Sequence, residues 1–277
     1  MPSLTVDNAQ VMYEDYGAGP LVMLVHGSPA TASAWQPVGR RLADRFRVVA
    51  PNLPGYAGTS PEDPDTPPSV SHAAALLEAL IRETGTPRVL AGHSYGGAVA
   101  LAVALRGHVK PGALALLEPV CIPILLTTGD TGGFAAAKAI FDEYLRAWEG
   151  GDRLAARTMI EFWFGLGAFE RLPAPVRDFL LQHTEPNVHD VRASFGERYS
   201  AEALRGLRVP VEVMYGTKSP DVSHRVASAL VALAPDCSAL TVEGATHALT
   251  TTHSERVAGA IAALAARASD GDQPEKV

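Results

Sequence analysis

Along this chain, continuous apolar runs alternate with stretches in which apolar positions recur every three or four residues. The run at 21–25 (Leu, Val, Met, Leu, Val) has no polar interruption, which predicts a strand buried on both faces. Similar runs at 46–50, 87–91, 113–117, 209–216 and 238–243 predict further strands. Between them, helical spacing covers 34–44, 69–83, 98–106, 221–233 and 254–266. Alternation of this kind predicts an α/β fold with a mostly parallel central sheet flanked by helices. Two shorter runs, 4–6 and 11–14, flank Asp7-Asn8-Ala9-Gln10 and predict an opening hairpin joined by an Asx-type turn. The last residues, 269–277, are polar and predict a frayed end.

The pattern changes after residue 120. From 121 to 206 no strand-like run remains, and helical runs such as 134–148 and 154–164 take over. We therefore expect a core made of residues 1–120 and 207–277, interrupted by a helical cap at 121–206. Phe162, Trp163, Phe164 and Phe169 fall close together in that insertion. Helical aromatics usually pack among themselves, but here they could also wall an apolar pocket, with Phe162 and Trp163 as its candidate lining.

One stretch joins this pattern to chemistry. Gly92-His93-Ser94-Tyr95-Gly96-Gly97 lies where the 87–91 strand gives way to a helix rich in small residues. A serine at the middle of such a turn is held in a strained backbone that exposes its hydroxyl, and the flanking glycines let strand and helix pass closely. The hydroxyl then sits at the positive end of a helix, where the Tyr95 amide can donate to a developing oxyanion. A second loop, His26-Gly27-Ser28-Pro29, ends the 21–25 strand and can aim the Ser28 amide into the same crevice. These features suit acyl transfer with Ser94 as nucleophile. His247, in a small-residue loop after the 238–243 strand, is the candidate general base. His26 and His93 are expected to brace their loops instead. Glu118, at the carboxyl end of the 113–117 strand, looks into the same crevice and is a candidate acid.

Composition narrows the picture. The chain has 277 residues, of which 47% are hydrophobic and 19% charged, with a formal net charge of −7. An acidic balance without a Lys/Arg cluster opposes a phosphate backbone, so no nucleic-acid partner is expected. No run is long enough to span a membrane, and no secretory signal opens the chain, so a soluble, cytoplasmic protein is expected. The two cysteines, Cys121 and Cys237, lie far apart; they suggest neither a disulfide framework nor a metal site and are expected to be buried thiols.

Taken together, 26–29, 92–97 and Gly244-Ala245-Thr246-His247 resemble the oxyanion loop, nucleophile elbow and histidine loop of the α/β-hydrolase superfamily. The resemblance covers the chain outside the insertion and implies an α/β-hydrolase fold with a serine, acid and histidine triad. It departs from the usual pattern at one place. Most relatives carry the acid shortly after the penultimate strand, yet Gly216-Thr217-Lys218-Ser219 puts a serine there. Asp221 follows at a helix start, where a first-turn role explains it better. Some branches take the acid from the strand after the elbow helix, where Glu118 stands, so Glu118 is the expected acid and Asp221 the alternative. The resemblance implies hydrolysis of a small apolar carboxylic ester or lactone through an acyl-enzyme, without metal or organic cofactor. Cleavage of a C–C bond, acyl transfer to an alcohol, or a ligand-binding protein without turnover are the alternatives. An elbow serine, where epoxide- and halide-processing relatives carry aspartate, sets those chemistries aside. Oligomeric state is not legible.

Overall fold

The computed structural model describes residues 1–6, 8–63 and 65–268. Asp7 of the expected turn and the polar end at 269–277 lie outside the described residues. Eight strands form one sheet: β1 (Ser3–Val6), β2 (Ala9–Gly17), β3 (Leu21–Val25), β4 (Arg47–Pro51), β5 (Val89–His93), β6 (Leu114–Leu117), β7 (Val211–Gly216) and β8 (Cys237–Val242). Their order is β1-β2-β4-β3-β5-β6-β7-β8. The first two strands run antiparallel to each other, β2 also runs antiparallel to β4, and every later pairing is parallel. The opening hairpin thus closes one edge, and strand-helix repeats build the rest.

Strand β3 shows why the apolar runs became central strands. Side chains alternate across a sheet, so Met23 and Val25 enter one core while Val22 and Leu24 enter the other. All five residues of this strand are buried. The first core is covered by α2 (Val70–Thr84), α3 (Tyr95–Arg106) and α11 (Asp221–Leu233), and the second by α1 (Gln36–Leu42) and α13 (Ser254–Arg267). The intervening helices are α4 (Ile124–Thr127), α5 (Thr131–Glu149), α6 (Ala156–Phe164), α7 (Ala168–Arg171), α8 (Ala174–Gln182), α9 (Thr184–Gly196) and α10 (Ala201–Arg205), with α12 (Leu249–Thr252) before the last.

Local signals set the helix ends. Ser69 starts α2 by accepting a hydrogen bond from the Ser71 amide, and Asp130 starts α5 by accepting from the Gly133 amide at 2.9 Å. Three expectations change. The helix expected at 34–44 is a 3₁₀ turn, Ala32–Trp35, followed by α1, because Pro37 suits a first helical turn. The elbow helix begins at Tyr95 rather than at 98, since the turn ends abruptly at Ser94. Cys121 is buried as expected, but Cys237 is only half-buried because it opens the edge strand β8.

The seven helices α4–α10 lie between β6 and β7. Phe141, Tyr144, Met159 and Trp163 from this segment pack into the same hydrophobic cluster as α3. No helix among the described residues is long and apolar enough to cross a membrane.

Candidate active site

The site forms where parallel strands end. Ser94 follows β5 with φ 54° and ψ −119°, a positive-φ conformation that a non-glycine residue adopts only under constraint. The constraint is visible: the Ser94 amide donates to Leu117 O at 2.9 Å, while its carbonyl accepts from Gly97 and Val120 at 3.0 and 3.2 Å. Glycines on either side are required by space. A Cβ on Gly92 would strike the Gly96 carbonyl, and one on Gly96 would strike the carbonyls of Val25 and His26. The sharp turn and the close crossing of helix and sheet are therefore one constraint.

Glu118 ends the neighbouring strand β6 in a similar state, with φ 44° and its amide donating to Met214 O at 2.8 Å. Its carboxylate is buried, with 1% of its surface exposed, and it faces donors from three distant segments. Oε2 lies 2.7 Å from His247 Nδ1 and accepts from Ser223 Oγ at 3.2 Å. Oε1 accepts from the Gly216 amide at 2.9 Å and from Ser219 Oγ. Desolvation pushes this carboxyl up, but the His247 contact, the Ser219 hydroxyl and the Gly216 amide outweigh it and hold its pKa at about 2. An ionised Glu118 requires Nδ1 of His247 to carry the proton, which leaves Nε2 free to accept one.

Neighbouring rings and loops fix His247. Its carbonyl accepts from His93 Nε2 at 2.8 Å, and its imidazole lies face to face with Trp163, the ring centroids 3.9 Å apart and the planes 13° off parallel. Burial, aided by the adjacent His247, lowers His93 to about 3, so that ring is neutral and Nε2 donates. Burial likewise lowers His26 to about 4. Its Nε2 accepts from the Leu53 amide at 2.9 Å and its Nδ1 donates to Gly27 O at 2.7 Å, tying the loop after β3 to the loop after β4.

Ser94, His247, His93, Ser28 and Trp163 line one cavity of about 340 Å³. Among the described residues, the backbone amides of Ser28 and Tyr95 have no hydrogen-bond acceptor. Asp221, the alternative acid, lies elsewhere: its side chain is 72% exposed and pairs with Arg225. Phe162 does not line the cavity but packs edge-on against Phe141 and Trp163, with centroids 5.4 and 4.7 Å away. Successive helical residues point about 100° apart, so only Trp163 of the pair faces the site. Ser223, Tyr56, Asn187 and Asp190 also belong to the site, and sequence reasoning misses them. Asn187 and Asp190 stand on α9, which is polar along much of its length, so nothing in the sequence sets them apart.

A strained serine at a strand-to-helix turn thus shares one cavity with a carboxylate-bound histidine. Residues 22–260 match the alpha/beta hydrolase family, and the chain belongs to it. Over 251 residues it is 30% identical to pimeloyl-[acyl-carrier protein] methyl ester esterase of Methylococcus capsulatus, covering 88% of this chain and 94% of that one. It is 32% identical over 136 residues to the dihydrolipoyllysine-residue acetyltransferase component of the acetoin cleaving system of Cupriavidus necator, but that match spans only 36% of the relative's length. Among solved structures, a thermophilic esterase from Thermogutta terrifontis superposes with a TM-score of 0.72 at 25% identity, covering 94% of each chain.

Proposed function

We propose that this protein is a serine hydrolase of carboxylic esters or lactones, with Ser94 as nucleophile, His247 as general base and Glu118 as the triad acid. The observation that carries this reading is the 2.7 Å contact between Glu118 and His247 Nδ1, in a cavity that Ser94 also lines. Glu118 holds His247 in the tautomer whose Nε2 takes the Ser94 proton. Ser94 Oγ then attacks the carbonyl, and the Ser28 and Tyr95 amides receive the oxyanion, each worth roughly 10² to 10³ in rate. His247 passes its proton to the leaving alcohol. Water, deprotonated by the same ring, releases the acid from Ser94. The helices at 121–206 act as a cap, with Trp163 closing the cavity over His247. The esterase name of the Methylococcus relative agrees with this chemistry.

Hydrolysis of a p-nitrophenyl ester series by the protein and its Ser94→Ala variant tests the reading, together with labelling by a fluorophosphonate. Turnover and labelling that both vanish with Ser94 are expected. Turnover that survives the substitution would overturn the assignment.

A further inference from the structure

Ser94 also lines a second, much smaller cavity of about 30 Å³, together with Ser28, Tyr95, Asn187, Asp190 and apolar side chains. His247 lines the large outer cavity but not this one. On the proposed mechanism, on which this inference rests, the leaving oxygen must face His247 to receive its proton. The alcohol therefore occupies the outer cavity, walled by Trp163, Leu172 and Leu180, and the acyl chain points into the inner one.

The inner cavity is mostly apolar but carries one polar cluster. Asp190, from α9, is 6% exposed and ends a chain of hydrogen bonds that crosses from the helical segment to the loops of the sheet. Tyr144 donates to Asn187 Oδ1 at 2.8 Å, and Asn187 Nδ2 donates to Ser28 Oγ at 2.7 Å. With Asp190 ionised, Tyr56 donates to its Oδ2 at 2.8 Å, and the 2.8 Å contact between Ser28 and Tyr56 then runs from Ser28 to Tyr56. Every hydroxyl proton in this chain is used. Two groups are left over: Asp190 Oδ1, which receives no hydrogen bond among the described residues, and the buried hydroxyl of Tyr95, which has no partner. The two lie near enough for a weak mutual contact, but no hydrogen bond of ordinary length joins them. A buried hydroxyl without a partner costs about 1–3 kcal/mol, and a ligand group can satisfy it.

We propose that this pair is a recognition site for a hydroxyl on the acyl part of the substrate, making the preferred substrates short hydroxyacyl esters. A hydroxyl both accepts and donates, so it can take the Tyr95 proton and give its own to Asp190. A methyl group can do neither, and an ammonium cannot accept. The small volume admits a short chain, since one water-sized group needs roughly 10–15 Å³.

The test compares matched pairs, benzyl lactate with benzyl propionate and benzyl 3-hydroxybutyrate with benzyl butyrate, following benzyl alcohol release. The wild-type protein is expected to favour the hydroxylated member of at least one pair by about tenfold or more in kcat/KM, as the two added hydrogen bonds predict. In Asp190→Leu and in Tyr95→Phe the ratio within that pair is expected to fall towards one, a readout that a general loss of activity does not move. A wild-type ratio near one in both pairs, or a preference that survives both substitutions, overturns the proposal. So does a lower melting temperature in the variants with an unchanged ratio, which would make Asp190 only a latch between the helices and the sheet. If no ester is turned over and Ser94 is not labelled by fluorophosphonate, the esterase reading fails. Titration calorimetry of the same esters with Ser94→Ala then decides the subsite by itself: tighter binding of a hydroxylated member supports it, and equal binding overturns it.

Discussion

Two buried carboxyl groups, one on the sheet and one on the helical segment, lie near the same serine and have opposite character. Glu118, at the end of β6, meets a histidine, two serine hydroxyls and a backbone amide, and its pKa falls to about 2. Asp190, on α9, accepts from the Tyr56 hydroxyl with Ser28 and Tyr95 nearby, and burial, aided by the Glu62 charge, raises it to about 7 against the lowering effect of those hydroxyls. Burial is nearly equal, at 1% and 6% exposed, so burial does not decide the difference. The charge of the partners does: Glu118 faces His247, whereas Asp190 faces neutral hydroxyls and the Glu62 carboxylate. Desolvation disfavours the carboxylate in both places, and the histidine beside Glu118 reverses it where hydroxyls alone do not. The strand ends of the sheet bring the histidine loop against Glu118, whereas Asp190 on its helix meets only the hydroxyls of Ser28, Tyr56 and Tyr95.

The largest expected effect separates the two candidate acids. Glu118→Gln keeps the shape but loses the charge that holds the His247 tautomer, and kcat should fall by about 10³ to 10⁴. Asp221→Asn should leave kcat within about twofold, because its partner Arg225 stands on the surface. Steady-state kinetics of both variants on one ester checks this pair. The reverse ranking would move the acid from β6 to α11.

Trp163 tests the helical side of the comparison. Trp163→Ala removes the ring stacked on His247 and enlarges the outer cavity, so KM for benzyl esters should rise about tenfold, with a smaller loss in kcat. Trp163→Phe should restore most of the affinity. A uniform fall in kcat with KM unchanged would place Trp163 in the chemical step instead.

Ser219→Ala asks how much one donor on Glu118 matters. Removing a single hydroxyl from a carboxylate that keeps three other partners should lower kcat about five- to tenfold, by steady-state measurement.

The smallest effects are those of pH on stability, and they have opposite signs. Glu118 is depressed from 4.5 to about 2, so the unfolded chain binds more protons between those values. Its contribution is present above about 4.5 and is lost as pH falls towards 2. Asp190 is raised from 3.8 to about 7, so here the folded chain binds more protons. Its contribution is full below 3.8 and disappears as pH rises through about 7. Melting curves of Asp190→Asn should therefore lack part of the wild-type decline between pH 4 and 7, a difference of about 2–4 °C for each kcal/mol involved. Glu118→Gln should lack part of the wild-type decline on acidification below pH 4.5. Parallel curves for variant and wild type would remove the contrast between the two groups.

Much of the site is legible in the amino-acid order, and particular residues show why. Ser94, Gly92 and Gly96 announce a tight strand-to-helix turn because backbone strain and close approach each demand a particular residue type at a fixed spacing. Glu118 is readable as the carboxyl end of an apolar strand. Ser219, standing where relatives often carry the acid, is visible as a departure, but its service as a donor to Glu118 is not. Which of Phe162 and Trp163 faces the cavity depends on the roll of α6. The half-exposure of Cys237 depends on β8 being the sheet edge.

Sequence alone determined the local structure of this protein: the strand runs, the helix caps, the positions where only glycine fits and the serine set between them. These follow from sterics and periodicity within a few residues. Tertiary structure alone decided the surroundings of each buried carboxyl and the division of the site into a small and a large cavity, only the larger of which reaches His247. Those depend on groups brought from far along the chain, with Glu118 joined to Gly216, Ser219 and His247, and Ser28 joined to Tyr56 and Asn187. A carboxyl group's proton is held or released by the donors around it, and only folding assembles them.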